Sequence, residues 1–216
     1  METSGQRFRK NKALSDLTEG QLSALREMSH AGMVHATAAI SQLLGHPLTL
    51  TVPRVSIVPL GHIPGQIGGE EEWVAGLYFK IRGDVKGNIL VLIPWNGVLS
   101  VIRTLTGKRT VQPTALTEDE TSVLKELANI LTSAYLTALS NLLGVLLIPS
   151  IPGLAFDMVG AVVDSLLIER GQPEEVAMVI ETRFENPASG VTGRLVLLPD
   201  PESLPDFLER LSSNPR

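Results

Sequence analysis

The chain has 216 residues, 44% hydrophobic and 19% charged, so it can bury a sizeable core and is no disordered polymer. Its net charge of −5 excludes the footprint of a nucleic-acid binder; the one basic cluster lies between Arg7 and Lys12. Cysteine is absent, which excludes disulfides and thiolate zinc sites, and no span approaches the ~20 apolar residues of a bilayer crossing. A cytoplasmic protein without membrane insertion is expected.

Residues 1–16 read as a flexible tail and 17–216 as a single domain. The first long helix is predicted over 18–44, where Thr18 caps the N-terminus and Gln21 completes a capping box. Leu22, Leu25, Met28, Met33, Ala36 and Ile40 form its apolar stripe, and Gly45 stops it. An extended segment (48–58), a Gly-rich loop (61–72), strands over 74–81 and 87–93, and a short helix near 95–106 follow. The second half repeats this order. Thr117 caps a helix with Glu120 at the box position, and Leu124, Leu127, Leu131, Ala134, Ala138 and Leu142 make the stripe before Gly144. Then come segment 145–152, a short helix near 154–167, strands over 176–184 and 190–198, and a closing helix over 202–211.

The repetition extends to residue identity. Residues 17–45 laid over 116–144, at a constant offset of 99, agree at eleven of 29 positions. Several matches are apolar and fit shared helical packing. Ser23 and Glu27 against Ser122 and Glu126 are harder to explain, because polar surface positions have no packing reason to agree. Two repeats, about 17–110 and 116–216, therefore imply an α/β (α+β) domain with a pseudo-two-fold. One continuous, mostly antiparallel sheet would carry two long helices on one face.

Ser122, Glu126 and Asn129 stand at i, i+4 and i+7, within a wedge of roughly 60° on the helix surface. The pattern Ser-x-x-x-Glu-x-x-Asn at 122–129, with its Ser and Glu repeated at 23 and 27 on the first long helix, resembles the signature of the CheC/CheX/FliY family of chemotaxis phosphatases. The resemblance runs from about residue 17 to 211. FliY is expected to be the poorer match, since the 216 residues leave no room for an additional C-terminal flagellar-switch domain. The resemblance implies hydrolysis of the aspartyl phosphate of a CheY-like response regulator. Glu126 and Asn129 would be the catalytic pair. Asn129 would place the attacking water in line with phosphorus, which a carboxamide can do because it both donates and accepts. Glu126 would pair with a regulator lysine. No intrinsic cofactor or metal site is implied; the Mg²⁺ belongs to the partner.

The first copy departs from the pattern. Ser23, Glu27 and His30 form a degenerate second site, where an imidazole replaces the amide and loses its acceptor once protonated. A weak or silent first site is expected. His30 and His35 lie ~140° apart around the helix and cannot share a metal, and His46 and His62 are isolated. Residues 64–69 lack the Lys-Ser/Thr of a P-loop and read as a turn. The acidic run 70–72 reads as a solvated loop. In CheC proteins the helix after the second site docks the receptor deamidase CheD; Asp157 and Asp164, seven apart, would share its face. The alternative class is a non-catalytic adaptor that holds a regulator or CheD without speeding hydrolysis.

Overall fold

A computed structural model describes residues 17–107, 116–170 and 176–213. The first half runs α1 (Glu19–Leu44), β1 (Thr49–Leu50), β2 (Arg54–Pro59), a 3-10 turn (Leu60–His62), α2 (Ile63–Ile67), β3 (Trp73–Gly83), β4 (Gly87–Pro94) and α3 (Trp95–Thr106). The second runs α4 (Glu118–Leu143), β5 (Leu147–Pro149), β6 (Gly153–Met158), α5 (Val159–Arg170), β7 (Val176–Asn186), β8 (Val191–Pro199) and α6 (Leu204–Ser213).

Local chemistry sets the ends of the long helices. Thr18 and Thr117 each complete a capping box, with Gln21 and Glu120 returning the bond to the cap nitrogen at 2.9 Å. Gly45 and Gly144 end the helices with φ of 72° and 64°, a left-handed conformation costly for any residue with a Cβ. Beyond each stop a serine from the last turn captures the next strand. Ser41 Oγ accepts from the Leu48 N–H, and Ser140 Oγ from the Leu147 N–H, both at 3.1 Å.

All eight strands join one antiparallel sheet in the order β1-β7-β8-β4-β3-β5, with β2 also pairing β7 and β6 also pairing β3. The edge strands of each half thus pair with the hairpin of the other half. Antiparallel β4 and β8 meet at the centre. The central strands are buried on both faces, which is why they read as unbroken Val, Ile and Leu runs. Along β4, Ile89, Val91 and Ile93 enter one apolar cluster, while Leu90 and Leu92 enter another on the opposite face. The first cluster lies under α1, α4, α3 and α6; the second lies under α2 and α5. The two long helices share one face of the sheet, as expected. The covered second face is an addition.

α1 and α4 approach closely because Gly32 has no side chain. A Cβ there would come within 2.8 Å of the Tyr135 ring. Beneath that crossing, Tyr135 Oη lies 3.0 Å from Ser29 Oγ, which is 3.4 Å from Thr182 Oγ1. Burial pushes the Tyr135 hydroxyl above its ordinary range, opposed by the bond to Ser29.

Three expectations need correction. The Gly-rich segment 61–72 is not all loop, since it holds most of the 3-10 turn and all of α2, whose Ile63 and Ile67 are fully buried. Nor is the acidic run simply solvated. The Glu72 carboxylate accepts from Arg194 at 2.8 Å, and the Glu70 and Glu72 carbonyls accept from the first N–H groups of α5. Finally, the helix predicted from 154 starts at Val159. Residues before it form β6, where Leu154 and Phe156 turn toward the first cluster with the period of two of a strand, in register with β3.

Candidate functional site

The second polar trio sits one to three turns into α4. The inward faces of those turns are set by Leu124, Leu127, Ala128 and Leu131, all buried in the first cluster. That burial leaves Ser122 and Glu126 exposed and Asn129 half-buried. Together with Lys125 they form one wall of a surface cleft of about 350 Å³. The opposite wall is the β5–β6 corner, Pro149, Ser150, Ile151 and Pro152. No spacing in the chain points to that second wall beyond its two prolines, because the corner is placed by β5, which Ser140 of α4 holds at Leu147 and which pairs with β3.

The cleft holds one carboxylate, one amide, one ammonium and two hydroxyls, and it is open to solvent. An amide there can accept from and donate to a water at once, while the carboxylate and ammonium address charged groups of a visiting molecule. Such a set suits positioning and ion pairing. Among the described residues, no group of three or more His, Asp or Glu side chains could hold a metal ion.

The first trio occupies the same outward face of α1, with Ser23, Glu27 and His30 all exposed. Here the Ser23 hydroxyl donates to Glu27 Oε1 at 3.3 Å. Among the described residues no such bond joins Ser122 to Glu126. His35 is exposed and lines a separate groove between the long helices, with Ala31, Ala134, Thr137, Ala138 and Asn141. His46 and His62 lie beyond α1 and in the 3-10 turn, both exposed.

Asp157 and Asp164 do not share a helix face, contrary to the seven-residue spacing. Asp157 belongs to β6, opposite Val74 of β3, and its carboxylate accepts from the Met158 N–H at 2.8 Å. Asp164 alone is on α5. Val74 belongs to the cluster under α5, so both carboxylates stand exposed on that side of the sheet.

Comparison with known proteins matches residues 120–154, which span Glu126, Asn129 and the β5–β6 corner, to the CheC-like family. The chain is 31% identical over 202 residues to the CheY-P phosphatase CheC of Bacillus subtilis, covering 92% of this chain and 97% of that protein. Among solved structures it resembles Thermotoga maritima FliY with a TM-score of 0.70 at 18% identity, over 93% of this chain and 100% of that one. The FliM middle domain of H. pylori is similar in fold, with a TM-score of 0.66 at 11% identity, over 90% and 99% of the two chains. No helix among the described residues is long and apolar enough to cross a membrane.

Proposed function

The chain belongs to the CheC/CheX/FliY chemotaxis family, and from that premise we propose that it hydrolyses the aspartyl phosphate of a CheY-like response regulator. The observation that carries this reading is the common cleft of Glu126 and Asn129, open enough for a protein surface to reach both. An acyl phosphate is already activated, so the catalyst need only hold a water in line with phosphorus and leave charge neutralisation to the partner's Mg²⁺. Asn129 does the holding. Half-buried in the cleft, its amide has less rotational freedom to lose when water binds than an exposed one. Glu126 pairs with a lysine at the regulator's active centre and so registers α4 on the partner. Lys125 adds a cation beside the incoming phosphoryl oxygens. The pseudo-two-fold belongs to the same reading: it is supported by the matching caps, the matching serine clasps and the reciprocal strand pairing. On that symmetry the Ser23, Glu27 and His30 face is a second, weaker site.

The test is the decay of phosphorylated receiver domain with and without the protein. Asn129→Ala lowers kcat about 10²-fold with little change in KM, the size of loss seen when one positioned donor is removed. Glu126→Ala chiefly raises KM. No acceleration by the wild-type chain points instead to the adaptor class.

A further inference from the structure

Each polar trio has a backbone corner that follows its helix, and the two corners are built alike. Residues 51–53 join β1 to β2, and residues 150–152 join β5 to β6. In the second corner the Ser150 N–H donates to the Lys80 carbonyl at 2.8 Å, while Ser150 Oγ accepts from the Lys80 N–H at 3.0 Å. In the first, the Thr51 N–H donates to the Arg183 carbonyl at 3.0 Å, and Thr51 Oγ1 accepts from the Arg183 N–H at 3.2 Å. A hydroxyl residue thus clamps each corner to a strand of the opposite half. The residue after the clamp is aliphatic and bare: Val52 is 77% exposed and Ile151 is 90% exposed. A proline follows each, Pro53 and Pro152, and narrows the backbone further.

A single exposed aliphatic side chain is ordinary. Two at positions 99 apart, each held by the same two-bond clamp, are not scatter. A β-branched side chain on an immobilised corner has little entropy left to lose when a partner covers it. Ile151 also lines the cleft that contains Glu126 and Asn129, so a protein surface that fills the cleft meets it.

We propose that Ile151 is the apolar anchor that seats the phosphorylated receiver domain against the second trio, and that Val52 serves the first trio in the same way. The inference rests on the phosphatase reading and states how that site holds its partner. Binding and hydrolysis are divided between the walls of the cleft: the corner grips, and α4 acts. The first half keeps the grip without the amide, so it docks a receiver that it hydrolyses poorly.

The experiment uses the whole chain, a phosphorylated receiver for turnover and the same receiver loaded with beryllofluoride for calorimetric titration. Ile151→Ser raises KM and weakens binding about tenfold, the loss expected of one apolar anchor, while kcat stays within about twofold. Ile151→Val restores both. Val52→Ser removes one of two binding events, the one at the His30 face, and leaves kcat and KM at the Asn129 site as in the wild type. If the wild type hydrolyses the receiver but Ile151→Ser keeps its KM and affinity, or loses kcat alone, the anchor is wrong and the phosphatase reading survives. A single binding event in the wild type removes the Val52 half. Neither binding nor hydrolysis by the wild type ends both ideas.

Discussion

α1 and α4 share their length, their capping boxes, their left-handed glycine stops and a serine that clasps the following strand. Their outward trios differ at one position, His30 against Asn129. The comparison sorts the polar identities between the helices into two kinds. Thr18/Thr117 and Ser41/Ser140 each have a backbone partner, and Glu19/Glu118 stand in the first turn, where a carboxylate favours the helix dipole, so the fold explains all three pairs. Ser23/Ser122 and Glu27/Glu126 are exposed and form no part of either core. Matching polar residues that hold up nothing are the ones to ask about function. By the same measure, neither His30 nor Asn129 makes a side-chain hydrogen bond to the scaffold among the described residues, so one half can change its chemistry while the architecture stays.

The largest effect concerns that exchange. Asn129→Ala is expected to lower the rate of receiver dephosphorylation about 10²-fold, while His30→Ala changes it less than about twofold. Adding His30→Asn to Asn129→Ala should then recover about tenfold, because the amide returns on an equivalent frame. Equal losses from the two alanine variants would break the asymmetry. Next comes the helix crossing. Gly32→Ala forces a methyl group against the Tyr135 ring and should destabilise the fold by about 1–3 kcal/mol in urea denaturation. An unchanged midpoint would mean that the two helices are not held at that separation. The smallest effect tests whether the frames are equivalent. Thr18→Ala and Thr117→Ala should each remove about 1 kcal/mol, and clearly unequal losses would show that one helix depends more on its cap.

Much of this was legible in the residues. The long helices announced themselves through capping boxes, apolar stripes and terminal glycines, because those signals are local. Central strands were legible as apolar runs. The β6 strand was not: Leu154 to Leu167 is apolar at nearly every step, and only pairing with β3 distinguishes its first five residues from the helix that follows. α2 was hidden for the opposite reason. Its five residues include a proline and a glycine, and they are helical because Ile63 and Ile67 reach the second cluster. Glu126 and Asn129 could be placed on one face by spacing alone. Ile151 could not be placed opposite them, since its corner is fixed by the hydrogen bonds of the preceding Ser150 to Lys80, seventy residues away from that serine in the chain.

The reciprocal lending of edge strands has one more consequence. β2 lies along β7 and β6 along β3, so a fragment containing either half alone would leave its own hairpin uncovered and its own border segments without a ladder. Such fragments would be sticky rather than autonomous. Mixed together they would have reason to reassemble, each completing what the other lacks, and unfolding of the intact chain should be a single event that neither half can begin by itself.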